Sequence, residues 1–162
     1  MQTEFYRPAS TCVGFSVLLI ASMVSCAGMA AEPPLPADAA AMWGLLGSWA
    51  LDCQGRPSNA NPHYSYVMRG DSLLIRRDTG VLQDENKVVS GAITDDGGIE
   101  LVTEYKAFSV VMTSRYAKDN ADQFHPVSNR DQNGVYTIQD SKSTRTGSSA
   151  PVMTRCPKTE QG

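Results

Sequence analysis

Ile99-Glu100-Leu101-Val102-Thr103-Glu104-Tyr105 and, after Lys106-Ala107, Phe108-Ser109-Val110-Val111-Met112-Thr113-Ser114-Arg115-Tyr116 decide how this chain folds. The first run sets Ile99, Leu101 and Tyr105 on one face and both glutamates on the other. The second aligns Phe108, Val110, Met112 and Tyr116 against Ser109, Thr113 and Arg115. A period of two is the signature of a half-buried strand, and helical spacing would scatter these residues. Outward from this pair, the same alternation predicts strands over 48–53, 63–69, 72–78, 87–94, 135–140 and 152–156, eight in all with the first two. Gly70-Asp71, Asp95-Asp96-Gly97-Gly98 and Asn133-Gly134 punctuate them, the last reading as a type I′ hairpin because both its residues tolerate positive φ. Short links make neighbouring strands antiparallel. The fold class is therefore all-β, an antiparallel up-and-down barrel of about eight strands, because an open sheet would leave two edges to protect.

Composition sets the frame. The chain has 162 residues, 41% hydrophobic and 19% charged, which suits a folded domain. Its net charge is −3 and no basic run exceeds Arg76-Arg77. Phosphate neutralisation needs concentrated cations, so nucleic acid is excluded as the expected partner.

The first 30 residues are expected to be a signal peptide. Arg7 precedes an apolar stretch over 12–24, short for a membrane span, and Gly28 and Ala30 stand at −3 and −1 of a small-x-small cleavage site. An uncleaved anchor is the alternative. Met23-Val24-Ser25-Cys26 also resembles a lipobox, which makes Cys26 a candidate for lipidation and gives a second route, an envelope-tethered lipoprotein. Residues 31–41, rich in Pro and Ala, read as a tether, 42–157 as the barrel domain and 158–162 as a disordered tail. Within the tether, Asp38 is the expected cap of a short helical turn over 39–43, ended by Gly44.

Cys53 and Cys156 are then the remaining cysteines, one at each end of the domain. In an oxidising compartment such a pair is expected to form a disulfide joining the first strand to the last. Neither has a metal-ligating neighbour at ligand spacing, and no metal or cofactor is expected. The localisation that follows is periplasmic or secreted.

Gly47-Ser48-Trp49 opens the first strand directly after the helical turn, and resembles the G-x-W signature of lipocalin-type barrels. The resemblance implies that Trp49 closes one barrel end and that a late arginine, here Arg155, stacks over it. Alternation puts Trp49 on the face of Cys53 but turns Arg155 away from Cys156, so regular strands cannot hold both the stack and the disulfide unless a bulge intervenes or Cys156 lies just past its strand. The disulfide is the favoured pairing. The chain is also similar to the bacterial barrels that inhibit metalloproteases, although their disulfide closes a short loop. It is similar again to small exported bacterial proteins, a likeness that implies no activity.

Catalytic patterns are scarce. His63 and His125 stand beside Pro62 and Pro126, and no nucleophile elbow, zinc-protease motif or P-loop occurs. Asp95-Asp96-Gly97-Gly98 lacks the downstream ligands of a calcium loop. Two non-enzymatic readings remain. In the first, Tyr64, Tyr66, Met68, Tyr105, Met112 and Tyr116 point inward and line a site for a small hydrophobic or amphipathic molecule. In the second, the core is filled, and the stretch 54–62, the polar run 117–133 read as loop, and the tether engage a partner protein such as a periplasmic hydrolase. A monomer is expected in either case, with a membrane reached only through a lipid anchor.

Overall fold

The two strands that open the sequence argument lie midway round a ring of strands in the computed structural model, which describes residues 35–157. The expected signal peptide, Cys26 and the tail 158–162 lie outside the described residues. The elements run α1 (Pro36–Trp43), β1 (Gly47–Ala50), β2 (His63–Arg69), β3 (Ser72–Asp78), β4 (Gln83–Ile93), β5 (Ile99–Tyr105), a 3-10 turn (Lys106–Phe108), β6 (Val110–Asn120), β7 (Gln123–Asp131), β8 (Tyr136–Gln139), β9 (Lys142–Ser143) and β10 (Met153–Arg155). Strands β1 to β7 form an antiparallel meander. β10 pairs with β1 through Trp49–Arg155 and Ala50–Thr154, and with β7 through Met153–Phe124 and Thr154–Gln123. That double pairing closes an eight-stranded antiparallel barrel.

The closure corrects which strands make the ring. Residues 135–140, expected as a barrel strand, form β8, which pairs with β9 in a hairpin hung on the C-terminal half of β7 outside the ring. Its place is taken by β7, which falls in the polar run 117–133 read as loop. The pattern was hidden because β7 turns Phe124, Pro126 and Asn129 inward, and the ladder shifts register between Arg115 and Tyr116. A proline and a bulge interrupt the alternation that marks a strand. The Asn133-Gly134 turn is not type I′: only Gly134 has positive φ (82°), and the Asp131 carboxylate accepts the Asn133 and Val135 amides instead. The two-residue turn with positive φ at both positions is Asp140-Ser141 (49° and 57°), between β8 and β9.

Part of the expected tether is core. α1 starts at Pro36, whose fixed φ suits the first helical position, and Leu35 rather than Asp38 precedes it as N-cap. Gly44 ends the helix in the left-handed region (φ 76°), and Leu45 N–H bonds Ala40 O at 2.8 Å. Eight residues do not hold a helix in water alone. Burial does: Ala37, Ala39, Ala40 and Trp43 pack with Leu45, Trp49, Leu73, Ile99, Leu101 and Phe124 to plug one barrel end. Gly91 allows the approach, since a Cβ there would lie 3.1 Å from both Pro36 Cα and Leu101 Cδ2.

Candidate functional site

The plugged end is fastened by the residues of the G-x-W resemblance. Gly47, at φ 124°, leads β1 out of the α1 link, and Trp49 Nε1 donates to Leu45 O at 2.7 Å. Arg155 lies directly across from Trp49, with its guanidinium carbon 4.2 Å from the ring centroid. It donates to Leu46 O at 2.8 Å and to Gly44 O, and its Nε stands 3.2 Å from Asp122 Oδ1 in the β6–β7 turn. One side chain thus ties the helix link, the first strand, the last strand and a turn together. The parity objection fails because neither cysteine is in a regular strand: β1 ends at Ala50 and β10 at Arg155. Beyond those ends the chain is free to bring Cys53 and Cys156 together on the outer surface, where they form a disulfide between residues 103 apart. Stack and disulfide coexist. A disulfide fits an oxidising environment.

The opposite end is closed by charge. On β3, Arg77 follows Leu73 and Ile75 on the inner face, and its Nη2 meets Asp84 Oδ2 of β4 at 2.5 Å while Nε reaches Oδ1 at 3.1 Å. Its guanidinium stands 5.1 Å from the Tyr105 and Phe108 rings. A bidentate pair sandwiched by aromatics is well suited to partial burial.

β10 makes only two pairs with β1 and two with β7, and beyond them Pro62, Pro151 and Ile138 of β8 stand between the lining residues of β2 and β7. A cavity of about 140 Å³ lies there, lined by Tyr64 and Tyr66 of β2, Tyr105 of β5, Ser114 and Tyr116 of β6, and Phe124, Pro126 and Asn129 of β7. Pro62, Pro151, Met153 and Ile138 complete the lining. Ser114 Oγ donates to Asn129 Oδ1 at 3.0 Å, and Phe124 meets Tyr116 edge to face at 5.2 Å. Burial pushes the Tyr64 phenol up to about 12 and raises Tyr66 and Tyr105 above the ordinary tyrosine range as well.

The structure therefore gathers four of the six residues expected to line a site and leaves out two. Met68 has the right parity but sits at the Gly70-Asp71 turn, 46% exposed. Met112, opposite Thr103 and Asp131, is half-buried on the inner face away from the cavity. The chain matches no family model, no curated protein and no solved structure. The closed eight-stranded barrel is consistent with a lipocalin-like barrel, and that is as far as likeness goes.

Ser114, Asn129, Pro126, Arg77 and Asp84 escaped sequence reasoning. Ser114 shares its face with Met112 and Tyr116, so alternation alone places it inside. Arg77 continues the Leu73, Ile75 face in the same way. Nothing in the sequence marks Asn129, because its strand reads as loop. His63 and His125 make local contacts, with Asn61 Nδ2 at 3.2 Å and Asp119 Oδ2 at 2.9 Å. Asp96 accepts from Thr94 Oγ1 at 2.6 Å and pairs with Arg115 across its hairpin. Among the described residues, no three His, Cys, Asp or Glu side chains converge as a metal site needs.

Proposed function

We propose that this protein is an exported, non-enzymatic binding module for a small amphipathic molecule, and that the tyrosine-lined cavity receives it. The observation that carries the reading is the convergence of Tyr64, Tyr66, Tyr105 and Tyr116 with Ser114 and Asn129 around one cavity. Aromatic faces with a few hydroxyls and amides suit a ligand that is apolar on its flanks and polar at one point. No carboxylate, histidine, lysine or cysteine lines the space, so Ser114 and the four tyrosines have no base beside them to activate a hydroxyl.

Volume limits the ligand. Sites for drug-sized molecules span roughly 300 to 1,000 Å³, well above the 140 Å³ found here. A cavity of about 150 Å³ accepts a benzene-sized ring. The ligand is accordingly a single-ring molecule, or a longer amphipath that inserts one ring or chain end. Export is supported by the apolar stretch over 12–24, the small residues at Gly28 and Ala30, the lipobox-like Cys26 and the Cys53–Cys156 disulfide. The lipocalin-like reading rests on Gly47, Trp49 and Arg155 meeting at the helix-capped end.

Native mass spectrometry and thermal shift against single-ring alcohols, phenols and longer amphipaths test the proposal. Single-ring compounds raise the melting temperature, and Ser114→Leu, which fills the cavity from β6, removes the effect. Stabilisation that persists in Ser114→Leu, or none in the wild type, refutes it.

A second reading has its own observation. A groove of about 500 Å³ runs along the outer wall beside the 51–62 loop, where Pro57, His63, Arg76, Asp78, Gln83 and Glu85 meet. Mixed charge on a loop-flanked groove fits a protein partner, and a metalloprotease inhibitor is the form the resemblance suggests. Inhibition of a purified secreted metalloprotease, lost on shortening residues 54–61, favours this reading. Truncation to test the tether must stop before Pro36, because Ala37, Ala39 and Ala40 are core.

A further inference from the structure

We infer that the cavity selects a neutral ring carrying a hydroxyl group, and that the Ser114–Asn129 pair holds that hydroxyl. This inference rests on the proposed role of the tyrosine-lined cavity and names its ligand class. Both residues line the cavity, and they face each other directly in the β6–β7 ladder. Their mutual bond, in which Ser114 Oγ donates to Asn129 Oδ1 at 3.0 Å, fixes what each has left to offer. Ser114 has spent its one proton and keeps acceptor lone pairs, while Asn129 has committed its carbonyl and keeps its amide protons. Among the described residues nothing accepts from Asn129 Nδ2, and the atom is not sealed from solvent as the unpartnered Asn86 Nδ2 is.

The flanking strands supply no partner. Leu101 of β5 stands opposite Ser114, and Ile138 of β8 stands opposite Asn129. With apolar side chains on either side, the unused acceptor and donor are left to whatever occupies the cavity. One group can serve both. The oxygen and nitrogen of an amide are about 2.3 Å apart, so across the 3.0 Å bond Ser114 Oγ and Asn129 Nδ2 lie within about 5.3 Å of each other. A hydroxyl oxygen at a hydrogen-bond distance of roughly 2.8 Å from each spans that gap. It accepts from Asn129 Nδ2 and donates to Ser114 Oγ. An ether or ketone only accepts, and so meets half of the pair.

The rest of the ligand is set by the walls. Tyr116 of β6 and Phe124 of β7 continue the two strands toward the plugged end, edge to face, as an aromatic seat for the ring. Charge is selected against, because no charged side chain lines the space. The burial that raises the Tyr64, Tyr66 and Tyr105 phenols penalises an anionic ligand in the same way.

Titration calorimetry at pH 7 with phenol, toluene and benzoate reads this directly, toluene being the ring of similar size that cannot bridge the pair. A neutral hydrogen bond corresponds to a roughly threefold to tenfold gain in affinity, so the wild type binds phenol tighter than toluene by at least that factor and benzoate least. Ser114→Ala, which removes the acceptor without filling the space, and Asn129→Leu, which removes the donor, each erase the phenol advantage while toluene binding persists. The wild-type comparison stands even if a variant fails to fold. A phenol preference undiminished in either variant, or benzoate binding as tightly as phenol, overturns the inference. Toluene binding to the wild type without a phenol preference removes the role of the Ser114–Asn129 pair and leaves the cavity a binding site; no binding of any of the three removes both.

Discussion

Replacing Arg155 by Met tests how the barrel is closed. The side chain is 31% exposed and makes three kinds of contact. Its stack on Trp49 at 4.2 Å, partly desolvated, contributes about 1 kcal/mol. Donation to the Leu46 and Gly44 carbonyls adds about 1 kcal/mol for each bond, and more if the carbonyls are left unmatched. The pair with Asp122, whose side chain is 70% exposed, adds less than about 0.5 kcal/mol. Met keeps the apolar stem, so the expected loss is about 3 kcal/mol, near the top of the range for single substitutions. With a urea m-value of about 2 kcal/mol/M, the midpoint falls by roughly 1.5 M at unchanged m. Arg155→Lys keeps the charge but not the planar fork, and is expected to lose about half as much. Far-UV circular dichroism is the appropriate signal, since tryptophan fluorescence reports the stack itself. A loss below about 1 kcal/mol for Arg155→Met would mean that the barrel end is held by the core alone, and the clasp would be incidental.

Cys53→Ala with Cys156→Ala opens a loop spanning 103 residues and is expected to cost about 4 to 5 kcal/mol in urea unfolding, with the strand pairing preserved. An effect under about 1 kcal/mol would show that the unfolded chain gains little freedom from the cut. Alkaline titration followed at 295 nm should show tyrosines that ionise late. Because the Tyr64 phenol has its folded value raised to about 12, its contribution to stability is complete below its ordinary value of 10 and is lost as pH climbs through 12. Stability that stays level between pH 10 and 12 contradicts the burial of the cavity tyrosines.

Alternation made the inner surface legible strand by strand. Tyr64, Tyr66, Tyr105 and Tyr116 line one cavity because each sits in an alternating run, even where a polar residue such as Thr103 or Ser114 shares the inner face. Parity says which face a residue takes but not how far along the barrel it lies, which is why Met68 ends at an exposed turn. The ring's seventh strand was illegible for a different reason: Pro126 and a bulge break its pattern, and its inward Asn129 looks like a loop residue. Residues 135–140 alternate well, yet pair outside the ring, because which edge a strand joins is decided by distant partners rather than by its own sequence. The Arg155 and Cys156 conflict came from extending strand parity past the strand ends. For the alanines before Trp43, low side-chain bulk read as a linker when it was the condition for close packing under the barrel end.

A crystal structure of the protein soaked with phenol decides the account most directly. Ring density bounded by Tyr64, Tyr66, Tyr105 and Tyr116 is the expected result. A ring seated only in the outer groove beside Pro57, or none in the barrel wall at saturating phenol, contradicts it.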